Sequence, residues 1–423
     1  MKPELFDDLI MLCKELMEQE EHILPLCAAE NVMSPFSKIP LDTFLQEKYI
    51  MGGVAKYHDN NNFIGSDKLY YIYDLLNRQC TKLYRSKYAD ARTLSGVNAV
   101  TTLLMSLFVS GDTILISSED CGGHGSMPKI CNRLGIRTEE LPYDYNSFDF
   151  DYEKINQVLC NTNIKGILIC LSDIIQMPQL NKINLPPDCT LIFDATQILG
   201  LIAANKLPNP LDWYSDTDNF ILMGATHKTL AGPTCGLIMT KNLTLADKFD
   251  TLINPDYLRN NQLHHVLSLI LSLMELEVYG SEYANTIVNN ANTLGSNLSA
   301  HNFNVLKANS TYTCTHQLFV SMPFQQAQSF YNKCATYGVS LNLRNKPLYH
   351  MCGIRIGTQQ VSRYKWKEDK MQSIAQILAD IYNDTSNPDD IHDRIASLSR
   401  NKEIGYTFDQ LMYETIFSCL HNG

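Results

Sequence analysis

Positive charge is scarce in this chain: 34 Lys and Arg stand against 45 Asp and Glu, a net charge of −11. Nucleic acids and anionic membranes reward basic surfaces, so neither is expected as the main partner. Long apolar runs are missing as well. The strongest stretches, such as Ile164–Leu171, fall far short of the roughly 20 residues that span a bilayer. Met1–Leu16 mixes Lys, Asp and Glu with apolar residues at helical spacing and offers no apolar core of the secretory kind. The 13 cysteines form no CxxC pair and no His/Cys cluster at zinc spacing. Neither a metal site nor a disulfide framework is therefore expected, but reduced thiols in a cytoplasmic protein. Internal repeats are also absent, and small-molecule chemistry is the class left standing.

What is present is an alternation of short apolar strands and longer amphipathic segments. With 423 residues, 45% of them hydrophobic, the chain can fill a large core. Asp112–Ser117, Gly166–Leu171, Thr190–Asp194 and Phe220–Met223 are nearly continuous in apolar residues, the mark of strands covered on both faces. Helical patterns such as Tyr152–Leu159 lie between them, which predicts an α/β fold with a mainly parallel sheet. A long helix is predicted from Gln262 to Leu298. Strands at Gln317–Met322, Val339–Leu343 and Gly353–Gly357 follow, then helices at Lys367–Tyr382 and Pro388–Leu398. The Asn60–Asn62 run reads as a polar loop.

Three segments carry chemistry. Gly224–Gly236, GATHKTLAGPTCG, follows an apolar strand and places Lys228 in a Thr/Gly-rich turn. Ligands of open α/β sheets bind outside the carboxyl ends of the strands. A lysine partly withdrawn from water there can form a Schiff base, although such a lysine, taken alone, is most often a plain surface one. TLIFDATQ ends a strand on Asp194, which can pair with a protonated pyridine nitrogen or merely cap a helix. TLSGVNA, Thr93–Ala99, opens a helix with small residues whose backbone N–H groups suit a phosphate.

In this order, the Ser-Gly turn, GGH at 122–124, the strand-end Asp, THKTLAGP and GIRIGT at 353–358 resemble serine hydroxymethyltransferase. The likeness runs from AAEN at 28–31 to GIRIGTQQVSRYKWKEDKM at 353–371. It implies a fold-type-I transferase dependent on pyridoxal 5′-phosphate (PLP). Such a protein has a large domain with a mainly parallel sheet of seven strands under helices, and a smaller C-terminal α/β domain. On this chain the implied division is an N-terminal helical arm at 1–30, the cofactor domain at 31–275 and the small domain at 276–423. The resemblance implies that Lys228 carries the cofactor, Asp194 holds the ring nitrogen and His124 stacks on the ring. Ser95, Gly96 and Val97 would bind the phosphate; Ser172, Gln197, Thr226 and His227 would line the cofactor. Tyr49 would reach the phosphate of a partner subunit in a homodimer, joined in trans by the Asn260–Gln262 turn. Arg355 would grip the carboxylate of an amino-acid substrate, a task suited to a bidentate guanidinium.

The departures are grouped on one side. The family's NKYAEGYP reads EKYIMGGV, so Met51 replaces the glutamate that handles protons in folate-dependent one-carbon transfer. The following RYYGGCE is unrecognisable within Lys56–Gly65, where Tyr57 and His58 are the candidates to stand near the lost tyrosines. Ala29 replaces a serine, Gln197 a histidine, Glu119 a leucine against the folate, and Arg344 an asparagine against the pterin. QGGP has become Asn260–Asn261–Gln262. Burying a pterin against Glu119 and Arg344 would leave poorly paired charges at roughly several kcal/mol. The expectation is a cytoplasmic PLP enzyme without folate, cleaving or forming the Cα–Cβ bond of a 3-hydroxy amino acid as aldolases and transaldolases do. The alternatives are a true serine hydroxymethyltransferase, another PLP reaction (decarboxylation, transamination, racemisation or β/γ-substitution), and a non-catalytic PLP-binding protein.

Overall fold

The computed structural model describes residues 3–52, 54, 63–161, 163–400 and 402–421. Two compact units emerge: Asn31–Asn285 with Tyr406–Gly423, and Met1–Glu30 with Thr286–Gly405. This differs from the three consecutive segments of the sequence reading: the arm and the small domain form one unit, and the last residues return to the larger one.

The larger unit is built on a seven-stranded sheet. In chain order the strands are β1 (Tyr88–Thr93), β2 (Thr113–Ile116), β3 (Arg137–Glu140), β4 (Gly166–Cys170), β5 (Thr190–Asp194), β6 (Phe220–Ala225) and β7 (Gly236–Thr240). Their spatial order is β1-β7-β6-β5-β4-β2-β3. Every neighbouring pair from β6 to β3 is parallel; β7 runs antiparallel to both β6 and β1. The central strands β4, β5 and β6 are buried along their whole length. That accounts for their unbroken apolar runs, because neither face meets water. β3, sequence RTEE, is exposed throughout and forms a charged edge that does not invite further pairing. The carboxyl ends of β2, β4, β5 and β6 share one edge, and the loops that leave them carry the sequence-predicted residues.

A final helix, Gln410–His421, closes this unit. Phe408, Tyr413, Ile416 and Leu420 pack on Phe36, Ile39 and Leu271, with the Phe408 and Phe36 rings edge to face at 4.9 Å.

The smaller unit contains an antiparallel sheet of β8 (Asn304–Val305), β9 (Gln317–Ser321), β10 (Asn342–Arg344) and β11 (Gly353–Gly357), in the order β8-β9-β11-β10. Helices Phe324–Thr336, Glu368–Asn383 and Pro388–Ser399 belong to it. A further short parallel pair joins Leu24–Pro25 to Val339–Ser340. The long helix forecast at Gln262–Leu298 spans Leu263–Ala300, and the division between units falls within it. No helix of the described residues is long and apolar enough to cross a membrane.

Candidate active site

Asp194 ends β5 with its side chain buried. Its Oδ1 accepts from the Thr196 backbone N–H (2.9 Å) and from the Thr196 hydroxyl. Oδ2 faces the thiol of Cys170 at 3.1 Å. Thr196 Oγ1 in turn accepts from Ala225 N (2.7 Å), which ties the strand-end carboxylate to the end of β6. The carboxylate therefore has one fixed orientation, which a ring nitrogen requires of its partner.

Lys228 sits three residues beyond β6 in a tight turn. Its carbonyl accepts from Ala231 N (3.0 Å) and from Asn31 Nδ2 (2.6 Å); the Asn31 amide also reaches Tyr283 Oη (2.9 Å). Ala231 adopts a φ of +59°, and Gly232 N returns to Thr226 O at 2.8 Å, closing the loop on itself. Thr226 is buried, its hydroxyl bonded to Pro233 O. Thr229 Oγ1 donates to Gln197 O (3.0 Å), and a Cβ on Gly200 would come within 2.2 Å of Thr229 O. The lysine loop is thus packed against the turn after Asp194 with no room to drift.

His227 is half-buried, and its Nδ1 is shielded from water with no hydrogen-bond partner. Burial, then the neighbouring Lys228 ammonium, push its pKa down to about 4. A neutral imidazole with an orphaned nitrogen in a buried site is what a bound group would satisfy.

The helix Gly96–Leu107 starts against the same edge. Ser95 caps it, accepting from Asn98 N (3.2 Å), while Asn98 Oδ1 accepts from Leu94 N (2.9 Å). These reciprocal bonds leave the amides of Gly96 and Val97 outside the cap. Gly96 has to be small: a Cβ there would meet Ala225 Cβ at 3.0 Å and Thr196 Oγ1 at 3.5 Å. The helix N-terminus therefore approaches the strand ends closely enough to present backbone N–H groups and dipole to an anion.

His124 follows the Gly122–Gly123 turn. Its backbone N–H donates to Cys170 O (2.9 Å), and Ser172 N donates to Gly122 O (2.7 Å). A Cβ on Gly123 would lie 2.2 Å from Ser117 O, so glycine is obligatory there. The imidazole Nδ1 of His124 accepts from Ser126 N at 3.2 Å, which sets the ring's orientation. Glu119, at the same turn, is exposed. Lys228, Asp194, His124, Ser172, Gln197, Thr226, His227 and the Ser95–Val97 turn are thus assembled on one edge of the larger unit.

The other forecast residues belong to other segments. Tyr49 is exposed, its ring 4.9 Å from that of Phe63. Met51 lies two residues on, in a strap whose backbone is pinned. The Tyr70 hydroxyl bonds Met51 O, Asn254 Oδ1 accepts from Gly52 N (2.8 Å), and Arg92 Nη1 donates to Gly52 O (2.7 Å). Asn261 turns inward to Asn254 (2.7 Å), whereas Asn260 and Gln262 are exposed. Tyr57 and His58 fall outside the described residues. Arg355 lies in the smaller unit, on β11 and buried, with Nε and Nη2 donating to Asn342 Oδ1 at 3.1 and 2.8 Å.

Three residues escaped the sequence reading. Arg92 is buried between Asp90 (2.7 Å) and Asp250 (2.9 Å). Asp250 Oδ1 also accepts from Val54 N (2.7 Å) and Tyr88 Oη (2.8 Å), so this ion cluster fastens the strap that carries Met51. Asn342 orients Arg355 from the opposite position in the ladder. Cys170 stands beside Asp194. Of these, a charged pair in YADART at 88–93 was the only visible signal, and its alternation with apolar residues made it look exposed.

The Gly96 cradle, the orphaned Nδ1 of His227 and the carboxylate aligned by Thr196 fit PLP, which the helix start, Asp194 and Lys228 would hold.

Serine hydroxymethyltransferase of Pyrococcus horikoshii is 27% identical over 434 residues, covering 95% of this chain and 97% of that protein. Fluorothreonine transaldolase of Streptantibioticus cattleyicolor is 27% identical over 408 residues, covering 93% of this chain and 63% of that longer protein. The crystal structure of L-threonine transaldolase from Pseudomonas fluorescens superposes with a TM-score of 0.90 at 22% identity, over 99% of this chain and 98% of the other. That likeness shows the fold. A family model described as serine hydroxymethyltransferase matches residues 3–378, and the chain belongs to that family of PLP-dependent enzymes.

Proposed function

We propose that this enzyme works without folate and makes or breaks the Cα–Cβ bond of a 3-hydroxy amino acid, in the manner of a transaldolase. The observation that carries this reading is Met51. The strap's backbone is pinned through Met51 O and both polar groups of Gly52, and the group offered where the family has its glutamate is a thioether. A thioether neither gives nor takes a proton. The cofactor side, by contrast, keeps Lys228, Asp194, His124 and the Ser95–Val97 turn, with Gln197 its one departure. The fluorothreonine transaldolase among the relatives supports the same reading.

When bound, PLP supplies an electron sink for the pair released at Cα. Asp194, oriented by Thr196, would pair with the ring nitrogen. Lys228 would hold the cofactor and give way to the substrate amine, from a loop packed too tightly to wander. Arg355, fixed by Asn342, would take the substrate carboxylate. His124 accepts from Ser126 N at Nδ1, which holds its ring in place. His124, His58 or Tyr57 would take the β-hydroxyl proton. The active form is a homodimer, with Tyr49 completing the partner's phosphate site.

Purified enzyme titrated with common amino acids, followed by the cofactor's visible absorbance, tests this. Threonine should shift the spectrum and release acetaldehyde with no folate present, and an added aromatic aldehyde should be converted to a new 3-hydroxy amino acid. Conversion of serine to glycine that depends on tetrahydrofolate would instead identify a serine hydroxymethyltransferase in the strict sense, the reading that the archaeal relatives favour.

A further inference from the structure

Cys170 ends β4 and Asp194 ends β5, and the two are paired in parallel register. Register partners in a parallel ladder project to the same face, so the thiol comes to lie 3.1 Å from Asp194 Oδ2. Both oxygens of the carboxylate are thereby engaged by different donors: Oδ1 by the backbone and hydroxyl of Thr196, Oδ2 by sulfur. Cys170 is buried. Burial, and next the Asp194 charge, raise its pKa well above the ordinary thiol value, so it stays protonated and donates.

The geometry points to Cys170 as a positioning residue that tunes how strongly Asp194 binds the proton of the cofactor's ring nitrogen. This rests on the assignment of Asp194 to that nitrogen made above. The ring nitrogen has to share Oδ2 with the thiol, because the Thr196 turn occupies Oδ1. A sulfhydryl is a weak donor. It steadies the carboxylate while leaving most of the oxygen's basicity for the ring. A hydroxyl at this place would draw more of that basicity away; a methyl would draw none. Donor strength at position 170 therefore sets the electron demand of the ring.

The test uses Cys170→Ala and Cys170→Ser, with wild type, reconstituted with cofactor labelled with nitrogen-15 in the ring. The ring-nitrogen resonance and the cofactor dissociation constant are measured. Cys170→Ala should move the resonance toward full protonation and tighten binding roughly threefold, and Cys170→Ser should move both the other way by a similar factor. Loss of packing alone would move both variants in one direction, and that result, or no movement in either, overturns the proposal. Each variant is read against wild type, so if one fails to fold the direction of the other decides. Asp194→Asn separates the two layers. If it shifts the resonance while the Cys170 variants do not, the role of Cys170 falls alone; if it shifts nothing, the assignment of Asp194 falls with it.

Discussion

Replacing Arg92 with methionine should destabilise the larger unit by an amount that depends on pH. The guanidinium is fully buried and donates to Asp90 Oδ2 (2.7 Å), Asp250 Oδ1 (2.9 Å), Asp250 O (3.0 Å) and Gly52 O (2.7 Å). Methionine fills much of the volume but leaves two buried carboxylates facing each other without a cation. Breaking such a cluster costs about 3–5 kcal/mol. The protein's escape is to protonate one carboxylate, at about 1.36 kcal/mol for each pH unit above an unfolded Asp pKa of about 3.9. That is about 4 kcal/mol at pH 7 and about 1.5 kcal/mol at pH 5. In the variant the folded state holds a proton that the unfolded state has released, so its stability falls as pH rises. The deficit against wild type should therefore shrink by about 2–3 kcal/mol between pH 7 and pH 5. Urea unfolding of both proteins at the two pH values reads it directly. A deficit below about 1 kcal/mol at pH 7, or one equal at both pH values, would refute the reasoning.

Two further outcomes follow from the same geometry. Asn342→Ala removes the acceptor of both Arg355 N–H bonds, so KM for the amino acid should rise about tenfold, equivalent to about 1.4 kcal/mol, with kcat much less affected; an unchanged KM would detach Asn342 from substrate binding. His227, its pKa held near 4 by burial and Lys228, stays neutral in the fold while the unfolded chain takes up a proton below about pH 6.5. Stability of the cofactor-free protein should thus fall as pH drops from about 6.5 to 4, by roughly 3 kcal/mol at most, and His227→Asn should flatten that slope in thermal unfolding scans.

The parts of the fold legible in the sequence are those where burial acts on both faces. GILIC, TLIFD and FILM declare themselves because strands covered on both faces favour nearly continuous apolar runs. β1 is equally buried but reads YADART, and its Asp90 and Arg92 are tolerated only because each supplies the other's charge. That compensation involves Asp250, 158 residues from Arg92, and no local pattern shows it. β3 has no apolar residue to announce it, and the last helix draws its partners Phe36, Ile39 and Leu271 from far back in the chain.

The site divides along the same physical line. Lys228, Asp194 and the Ser95–Val97 turn were readable because cofactor chemistry demands those residue types in short local motifs. The residues that orient them were not, because each acts through strand register: Cys170 reaches Asp194 across 24 residues and Asn342 reaches Arg355 across 13. Register is a property of the finished sheet, so such residues look like ordinary strand residues until the ladder is known. The same logic explains why the departure at Met51 carries functional weight. A substitution in a mobile loop can be offset by a neighbour moving in. Here Tyr70, Asn254 and Arg92 hold the two peptides that follow Met51, so the thioether is offered from a backbone pinned on that side. A thioether at Met51 supplies no proton carrier for one-carbon transfer, whereas aldol cleavage of a 3-hydroxy amino acid would need a group that takes the β-hydroxyl proton and a cofactor that takes the electron pair left at Cα.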